Sequence, residues 1–325
     1  MKAEILRMIR SSEKPVPGRM ICEELHISRH ELERAVAQFE FLGYDIEEEP
    51  EGFVMYSYPD SISNIELTSR MTSTWAGKRI HYTRETGSTN DDAIKLADAG
   101  REHGLLVVTE NQVNGKGRRG RSWETEDKAA IFMSLLLRPE LKPDQAPMLT
   151  LVMALSVADV LSKLTDLDVK IKWPNDILVN KKKVCGILTE MSTKPDGINH
   201  VVIGVGINVN NSMFPMELMD KATSLMMETG NRWSRADIII SVMDHFEYYY
   251  DLFISCGDLS ALVTLYDGYL VNKDKKVRVL DPQGEFEGTA EGINDYGELI
   301  VQKDEGGYTR VSSGEVSVRG IYGYV

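Results

Sequence analysis

The chain has 325 residues, which is enough for two or three domains. With 42% hydrophobic and 27% charged residues it has the composition of a soluble globular protein, and its net charge of −13 disfavours nucleic acid and acidic membranes as partners of the whole surface. Three scattered cysteines, Cys22, Cys185 and Cys256, give neither a disulfide framework nor a zinc motif. The sequence predicts no membrane span and no signal peptide, so we expect a cytoplasmic protein.

The first 60 residues predict a winged helix-turn-helix. Helices are expected near residues 2–11, from Gly18, and from Arg29 to about Leu42. Ser28 is a predicted N-cap, and Gly43 is predicted to end the third helix. The residues YDIEEEPEGFVMY then predict a small β-hairpin, which completes the winged order of elements. The polar segment 57–68 is expected to be a linker.

Residues 61–270 predict a domain that mixes helices and strands. Helices are expected over 88–99, 146–164 and 236–256, and strands over 105–110, 131–137, three segments between 169 and 191, and 200–210. Consecutive strands with tight turns favour a mixed sheet with helices on one side. Residues 271–325 contain short alternating strands, which predict a small β-barrel or sandwich. The predicted fold is therefore α/β (α+β), with domains at 1–60, 61–270 and 271–325.

The sharpest local feature is the basic loop NGKGRRGRSW at residues 114–123, which combines three glycines with four cationic side chains. Its glycines match the spacing of a dinucleotide fingerprint, but that motif needs a βαβ unit and a helix that opens inside it. The following residues, RSWETEDKAA, do not open such a helix, and the loop has no Walker A ending. Glycine lets backbone N–H groups approach a ligand, and guanidinium groups bind carboxylate or phosphate oxygens. The alternative is a solvated basic loop without a function.

Two further segments carry less specific signals. The residues KWPND at 172–176 predict a turn between two strands, with Asn175 and Asp176 on its rim and three lysines, 181–183, on the next hairpin. An ordinary hairpin with a basic tip is an equally good interpretation of this segment alone. GVGIN at 204–208 predicts a strand whose glycines allow close approach by a ligand or a second strand.

Together these segments resemble the biotin–protein ligase family. The resemblance is carried by GSTN at 87–90, Gln112 followed by GKGRRGRSW, KWPND with Lys183 and Gly186, and GVGIN, in the family's order and spacing. GEVSVR at 314–319 resembles the family's terminal barrel signature. The resemblance covers about residues 80–320, and residues 1–60 look like the DNA-binding domain of bifunctional ligase/repressor members. It implies an N-terminal winged helix-turn-helix, a central mixed-sheet ligase domain and a C-terminal SH3-like β-barrel.

The resemblance also implies a reaction and its ligands. Members of this family join the carboxylate of biotin to the α-phosphate of ATP, release pyrophosphate, and then pass biotin to a lysine of a carrier domain. The expected ligands are biotin, ATP and the Mg²⁺ that accompanies ATP, with no certain metal site on the protein. The expected partners are the biotin carboxyl carrier domain of a carboxylase, a second copy in a homodimer, and a DNA operator. Bringing a carboxylate onto a polyphosphate sets like charges together, so such a site needs cations.

Specific residues follow from the same resemblance. Catalytic roles are implied for Lys183, Arg118 and Asp176, with Lys183 polarising the reacting carboxyl and Asp176 helping to deprotonate the incoming lysine. Biotin contacts are implied for Ser88, Thr89, Asn90, Gln112, Gly115, Lys116, Gly117, Arg118 and Lys183. Nucleotide contacts are implied for Arg119, Arg121, Trp123, Asn175, Asn208 and Arg319, with the 211–225 loop over the adenine. The basic loop is expected to be mobile and to order when the ligand arrives.

The DNA-binding role conflicts with the local charge. The resemblance implies DNA contacts from Ser28, Arg29, His30 and Arg34. Residues 1–60 nevertheless contain seven cationic and thirteen acidic residues, and the wing DIEEEPEG has five acids and no cation. Phosphate contact is the usual source of protein–DNA affinity.

Three alternatives therefore stay open. The N-terminal domain could serve packing, dimer geometry or protein contacts instead of binding DNA. The whole chain could be a biotin-sensing repressor with vestigial ligase activity, or a lipoate or octanoyl ligase on the same fold. One departure from the family concerns the basic loop, where Lys116 stands in place of an arginine found in several relatives, so that charge is kept and bidentate geometry is lost.

Overall fold

A computed structural model describes residues 1–123, 128–281, 284–313 and 317–320, without the side chains at positions 119, 122, 317, 319 and 320. The backbone contacts divide the chain into two compact units. The first comprises Met1–Thr72 with Ser234–Ala236, and the second Ser73–Trp233 with Asp237–Val325. The division into domains at 1–60, 61–270 and 271–325 stays a prediction.

The first unit contains four helices and a hairpin. Its elements are α1 (Lys2–Arg10), α2 (Gly18–Leu25), α3 (Arg29–Phe41), β1 (Asp45–Glu49), β2 (Gly52–Ser57) and α4 (Asn64–Arg70). Ser28 caps α3 in a reciprocal capping box with Glu31, and Gly43, with φ of +93°, follows the end of the helix, so both predicted boundaries are confirmed. The core of this unit is formed by apolar side chains from the helices and the hairpin, including Ile5, Ile21, Leu32, Phe39 and Phe53.

The prediction of a linker over 57–68 is wrong for its second half, because α4 begins at Asn64. The side chain of Ser63 caps this helix by accepting from the N–H of Glu66. Glu66 itself is 1% exposed and accepts hydrogen bonds from Arg10 and from the hydroxyl of Tyr44, at 2.7 and 2.6 Å. The segment looked like a linker because it is polar, but its central carboxylate is buried and paired.

The second unit is built on a seven-stranded mixed sheet. Its strands lie in the order β3-β4-β7-β11-β10-β9-β8, in which β3 and β4 are parallel and the other pairs antiparallel. In chain order, the first elements here are β3 (Arg79–Thr86), α5 (Thr89–Asp98), β4 (Leu105–Gln112), β5 (Gly115–Lys116), β6 (Ser122–Trp123), β7 (Ala130–Leu137) and α6 (Met148–Thr165). They are followed by β8 (Val169–Lys172), β9 (Asp176–Val179), β10 (Lys182–Lys194), β11 (Gly197–Asn208), α7 (Leu225–Thr229), α8 (Arg235–Cys256) and α9 (Val263–Tyr269).

The mixed sheet and its main helices are confirmed, with two differences. β7 is buried at every position, so this strand is covered on both faces, whereas we expected helices on one side. Strand β3 and the short helices α7 and α9 were not predicted. β3 is an edge strand of charged and half-exposed residues, and such a strand lacks the apolar alternation that makes a strand recognisable.

The chain closes with a five-stranded antiparallel sheet. Its strands are β12 (Lys275–Leu280), β13 (Phe286–Ile293), β14 (Leu299–Lys303), β15 (Tyr308–Val311) and β16 (Ser317–Gly320), in the order β15-β14-β13-β12-β16. All five were predicted from the sequence. The segment Pro143–Thr165, which includes α6, is long and apolar enough to cross a membrane, but 78% of its apolar window is buried inside the protein, as in a core helix.

Candidate functional site

A cavity opens where the basic loop, the start of α5 and the centre of the mixed sheet meet. Its lining combines glycines, hydroxyl and amide side chains, three cations and a few apolar residues. These residues are Ser88, Thr89, Asn90, Gln112, Lys116, Gly117, Arg118, Trp123, Phe132, Asn175, Lys183, Gly186, Ile187, Leu188, Gly204, Val205 and Gly206. The topology thus brings together the four sequence segments GSTN, GKGRRGRSW, KWPND and GVGIN.

The start of α5 forms one end of the cavity. The N–H of Thr89 donates to Oε1 of Gln112 at 2.9 Å, so a side chain from β4 caps the helix from outside. Ser88 occupies the N-cap position, and within the described chain its hydroxyl makes no capping bond to the helix. Because Ser88 is buried at the cavity wall, its hydroxyl is placed for a ligand. The first turn of a helix also favours the negative end of a ligand dipole.

Asn90 lies deeper and is held by the protein. Its Nδ2 donates to a carboxylate oxygen of Glu190 at 2.7 Å and to the carbonyl oxygen of Leu188 at 3.3 Å. Its Oδ1 accepts from the hydroxyl of Ser134, at 2.6 Å. Ser134 is fully buried on β7, and its Oγ also lies 2.7 Å from Oγ1 of Thr89.

Three glycines in the cavity lie so close to neighbouring side chains that a Cβ atom would clash with them. A Cβ on Gly204 would lie 2.1 Å from Oδ1 of Asn90, and a Cβ on Gly206 would lie 2.8 Å from the indole ring of Trp123. A Cβ on Gly186 would meet both Trp123 and the Nζ of Lys183, at 2.8 and 2.9 Å. The glycines of KVCGIL and GVGIN are therefore required by close packing on the floor of the cavity.

The basic loop is positioned by pairs that reach other parts of the unit. Arg118 donates to Oδ1 of Asn175 at 3.0 Å and to the carbonyl oxygen of Ser313, just beyond β15, at 2.8 Å. Lys116 forms an ion pair with Asp91, in the first turn of α5, at 2.6 Å. The hydrogen bond to Asp91 raises the pKa of Lys116, so this side chain is cationic throughout the neutral range.

Lys183 approaches the same cavity from the hairpin between β9 and β10. Its Nζ lies 2.5 Å from a carboxylate oxygen of Asp176 and 5.1 Å from the centroid of the Trp123 ring. The indole Nε1 of Trp123 is buried and has no hydrogen-bond partner in the described part of the chain. A ligand acceptor in the cavity would satisfy this donor.

The 211–225 loop is bonded to the backbone of Lys183. The N–H of Lys183 donates to the carbonyl of Lys221 at 2.7 Å, and the N–H of Thr223 donates to the carbonyl of Lys183 at 2.9 Å. Asn208, at the end of β11, donates to the carbonyl of Thr223 at 3.0 Å. The loop that the resemblance placed over adenine is thus anchored beside the catalytic candidate Lys183.

The structure gathers most of the predicted site residues and separates a few. Gly115 does not line the cavity itself, but a Cβ there would lie 2.7 Å from Nε2 of Gln112. Arg121 is exposed, and Asn208 is buried behind the cavity, where it holds the loop. The side chains of Arg119 and Arg319 lie outside the described residues.

Sequence reasoning missed the residues that support the cavity: Asp91, Ser134, Glu190 and Ser313. Only Asp91 had a local signal, as an acid in the first turn of a helix. The predicted DNA contacts lie on the first unit, where Ser28 caps α3 and Arg29, His30 and Arg34 are exposed along it. Within the described residues, no group of three His, Cys, Asp or Glu side chains is placed to hold a metal ion.

The chain was compared with known proteins. Residues 77–208 match the biotin/lipoate A/B protein ligase family, and residues 274–319 match the biotin protein ligase C terminal domain. The chain is 34% identical to the bifunctional ligase/repressor BirA of Bacillus spizizenii and 33% identical to that of Bacillus subtilis, in each case over 90% of both chains. The structure of a biotin protein ligase from Aquifex aeolicus in complex with biotin and ATP superposes with a TM-score of 0.66 and 28% identity, covering 75% of this chain and 99% of that one.

Proposed function

The chain belongs to the biotin protein ligase family, and from that premise we propose how its cavity carries out the reaction. The enzyme activates biotin with ATP and transfers the biotinyl group to a lysine of a carrier protein. A biotin carboxylate oxygen attacks the α-phosphorus of ATP, and the bond to pyrophosphate breaks. The lysine nitrogen then attacks the acyl carbon of biotinyl-adenylate, AMP leaves with the bonding electron pair, and the ammonium proton is lost to a base.

The observation that carries the assignment is the convergence of three cations on one glycine-floored cavity. Lys116, Arg118 and Lys183 line it from two different segments. They stabilise the negative charge that builds up when a carboxylate approaches a phosphate. The amide oxygen of Asn175 and the carbonyl oxygen of Ser313 help to orient the guanidinium of Arg118. Mg²⁺ enters with the triphosphate, which supplies the oxygen ligands that this ion prefers.

Biotin fits the cavity with its ureido ring at the α5 end. Ser88, Thr89 and Gln112 provide hydroxyl and amide groups there, and Arg118 and Lys183, from the basic loop and the β9–β10 hairpin, are proposed to meet the carboxylate. Ile187, Leu188, Val205 and Phe132 supply apolar surface to the lining. Gly115 and Gly117 let the loop backbone approach the ligand closely.

The nucleotide fits beside Trp123 and the 211–225 loop. Trp123, whose buried Nε1 has no hydrogen-bond partner among the described residues, and Asn175 both line the cavity and are proposed to contact the nucleotide. Asn208 anchors the loop, and Arg119, Arg121 and Arg319 complete the proposed nucleotide contacts. Closure of the basic loop over the adenylate would exclude water from a mixed anhydride that hydrolyses readily.

Asp176 is proposed to assist the transfer step. A lysine amine with a pKa near 10.4 is almost fully protonated at neutral pH, so attack requires a nearby acceptor for its proton. Asp176 is paired to the cavity residue Lys183 at 2.5 Å. In this proposal Lys183 holds the acyl group, and Asp176 beside it holds the incoming amine.

The proposed partner is the biotin carboxyl carrier domain of acetyl-CoA carboxylase or a related carboxylase. A streptavidin blot after incubation with biotin, ATP, Mg²⁺ and the apo carrier domain tests this, with a carrier whose target lysine is replaced as the control. Labelling of the intact carrier alone supports the proposal. An unlabelled carrier would contradict it.

Lipoate is the competing acid on this fold. Isothermal titration of the protein with biotin and with lipoate distinguishes the two, because a pocket with hydroxyl and amide groups at its end matches the ureido ring and leaves those groups unpaired with a dithiolane. Preference for biotin of at least about a hundredfold is expected. Equal or tighter binding of lipoate would overturn the choice of substrate.

A second function is proposed for the first unit. The order α2, tight turn, α3 and hairpin favours a winged helix-turn-helix, and the Bacillus relatives are named bifunctional ligase/repressors. DNA contacts would come from Ser28, Arg29, His30 and Arg34 on α3. The natural context is a homodimer in the cytoplasm that binds an operator in the biotin-loaded state, and the C-terminal sheet is proposed to close as an SH3-like barrel.

A gel shift tests the repressor role. The probe is the promoter of the chain's own biotin genes, with biotinyl-adenylate present or absent. A shifted band that requires biotinyl-adenylate supports a repressor. Equal binding to a scrambled duplex, or none at all, would leave the unit with packing or protein contacts as its role.

A further inference from the structure

Asn90 is a wall residue of the cavity whose amide is held by hydrogen bonds within the protein. It is 4% exposed, and its Nδ2 bonds to Glu190 and to the carbonyl of Leu188. Its Oδ1 accepts from Ser134. A carboxylate and a carbonyl can only accept hydrogen bonds, so these two groups fix which way the amide faces. Asn90 thus has one orientation, and Glu190 is the charged group that enforces it.

The orientation of Asn90 determines the next two groups. The single hydroxyl proton of Ser134 goes to Oδ1 of Asn90, at 2.6 Å, so Ser134 has only lone pairs left for Thr89 at 2.7 Å. The hydroxyl of Thr89 is then a donor toward Ser134 or toward Oε1 of Gln112, which lies 3.2 Å away. The donor and acceptor roles of Asn90, Ser134 and Thr89 therefore follow one from the next, starting at Glu190.

Gln112 lines the cavity beside Thr89. Its Oε1 accepts from the N–H of Thr89 at 2.9 Å, which turns Nε2 away from α5 and toward Gly115. Because a backbone N–H can only donate, the backbone of Thr89 fixes the orientation of this amide. A biotin ureido ring has two N–H donors and one carbonyl acceptor, so the donor or acceptor character of each wall group decides whether it pairs or is left unsatisfied.

We propose that Glu190 is a positioning residue that sets the hydrogen-bond pattern of the ureido end of the cavity, acting through Asn90, Ser134 and Thr89. This inference rests on the proposed function, since it assumes that biotin occupies the cavity. Asn90 contributes by holding its neighbours. Glu190 touches neither substrate, and its effect is confined to the affinity for biotin.

The packing around Asn90 supports a fixed network. A Cβ on Gly204 would lie only 2.1 Å from Oδ1 of Asn90, so β11 presses the amide against Ser134 and leaves no space for another rotamer on that side. All three inner members, Thr89, Asn90 and Ser134, are less than 5% exposed. Water therefore competes little for these bonds, and loss of one partner leaves a buried donor unsatisfied.

The test is steady-state kinetics of biotin-dependent ATP–pyrophosphate exchange with Glu190→Ala and Glu190→Gln. Alanine removes one of the two acceptors for Nδ2 of Asn90, the charged one, and should raise KM for biotin about tenfold, the size of one lost charge-assisted hydrogen bond, with kcat and KM for ATP within about twofold. Glutamine keeps an acceptor oxygen at this position and should restore most of the biotin affinity. A loss of uniform binding produces this pattern, whereas a general structural defect would also change kcat and KM for ATP.

A second glutamate–asparagine pair in the same unit serves as the control for removal of a carboxylate. Glu85 accepts from the Nδ2 of Asn111 at 2.9 Å on the exposed side of β3 and β4, with the same chemistry and no connection to the network. Glu85→Ala should leave every kinetic constant unchanged. If Glu190→Ala does not fold, Ser134→Ala takes its place, because it breaks the link between Asn90 and Thr89 and should raise KM for biotin in the same way.

Two outcomes would overturn the inference. One is an unchanged KM for biotin in Glu190→Ala or Ser134→Ala, and the other is an equal rise in KM for ATP. Both are separable from failure of the proposed function, which would appear as an absence of biotin-dependent exchange in the unsubstituted enzyme.

Discussion

Two arginines, one in each unit of this chain, differ in the partners that the structure describes for them. In the cavity, Arg118 is held by the amide oxygen of Asn175 and the carbonyl of Ser313. On α3, Arg29 is held by two carboxylates, Glu33 and Glu48, which raise its pKa above the ordinary range, Glu48 most strongly. Carboxylate partners lower the net charge that Arg29 presents to an anion such as a DNA phosphate, whereas a carbonyl oxygen orients a guanidinium without adding a negative charge. The partners of a cation, as well as its place in a motif, therefore affect its role.

The largest expected effect is in the cavity, where the cations act on the ligand. Lys183→Ala and Arg118→Ala should each lower the rate of biotin transfer to the apo carrier by at least about a hundredfold, since each removes a charge that stabilises the adenylation transition state. Lys181→Ala is the matched control, because Lys181 lies on the same hairpin turn with an exposed side chain. Time courses on a streptavidin blot measure the rates. Undiminished transfer by both cavity variants would remove the site assignment.

Two arginines of the first unit, Arg10 and Arg70, form ion pairs with the same buried carboxylate, Glu66. Glu66→Ala leaves Arg10 and Arg70 largely buried without their carboxylate, so the free energy of unfolding of this unit should fall by about 3–5 kcal/mol. Calorimetry of the full chain should show an early transition, while biotin-dependent exchange persists. Glu23→Ala, which removes an exposed pair with Arg19, should shift nothing measurable. An unshifted transition in Glu66→Ala would show that the buried pairs do not stabilise the unit.

Glu247, a carboxylate of the second unit, is stabilised by hydrogen bonds from uncharged backbone groups. Burial raises the pKa of Glu247, but hydrogen bonds from the N–H groups of Ala76, Thr74 and Trp75 outweigh it and hold the pKa below its ordinary value. A lowered pKa in the folded state contributes stability above the unfolded pKa, near 4.3, that is lost as the pH falls through the folded value. Glu247→Gln should therefore lower the free energy of unfolding at pH 7 by about 1.5–3 kcal/mol, which is measured as a lower thermal midpoint. The gap between the midpoints of the variant and the unsubstituted protein should narrow below about pH 4. A gap that stays constant down to pH 3 would contradict this.

The smallest expected effect concerns DNA. If carboxylates suppress the first unit's phosphate contacts, Glu33→Gln with Glu48→Gln should strengthen binding to duplex DNA several-fold at low salt, and the gain should vanish at high salt. Replacing exposed Glu102 and Glu305 by glutamine removes the same charge from the other unit. Fluorescence anisotropy across a salt series measures both. Equal gains in the two double variants would mean that total charge, and not the pairing of Arg29, controls the affinity.

The sequence predicted those parts of the molecule whose signals are local. The capping box at Ser28, the strands of the C-terminal sheet, and the turn at KWPND all follow from residues within a few positions of one another. The resemblance added the segments that line the cavity. Strand β3 and helix α4 were missed because both are polar, one as a sheet edge and the other around a buried carboxylate.

The supporting residues could not be predicted, because their partners are far away in the chain. Glu190 is 100 residues from Asn90, and Ser134 is 44 residues from it. Arg118 and Ser313 are 195 residues apart. Only the folded sheet shows that these side chains meet, and a lone serine or glutamate on a strand gives no sign of such a partner.

The most direct test of the central claim is exchange of labelled pyrophosphate into ATP, with and without biotin. We expect exchange that requires biotin and is lost in Lys183→Ala, because biotin-adenylate formation is the only reversible step that returns pyrophosphate to ATP in the proposed mechanism. Exchange at the same rate without biotin, or no exchange with it, would contradict the assignment of this cavity as the site of biotin activation.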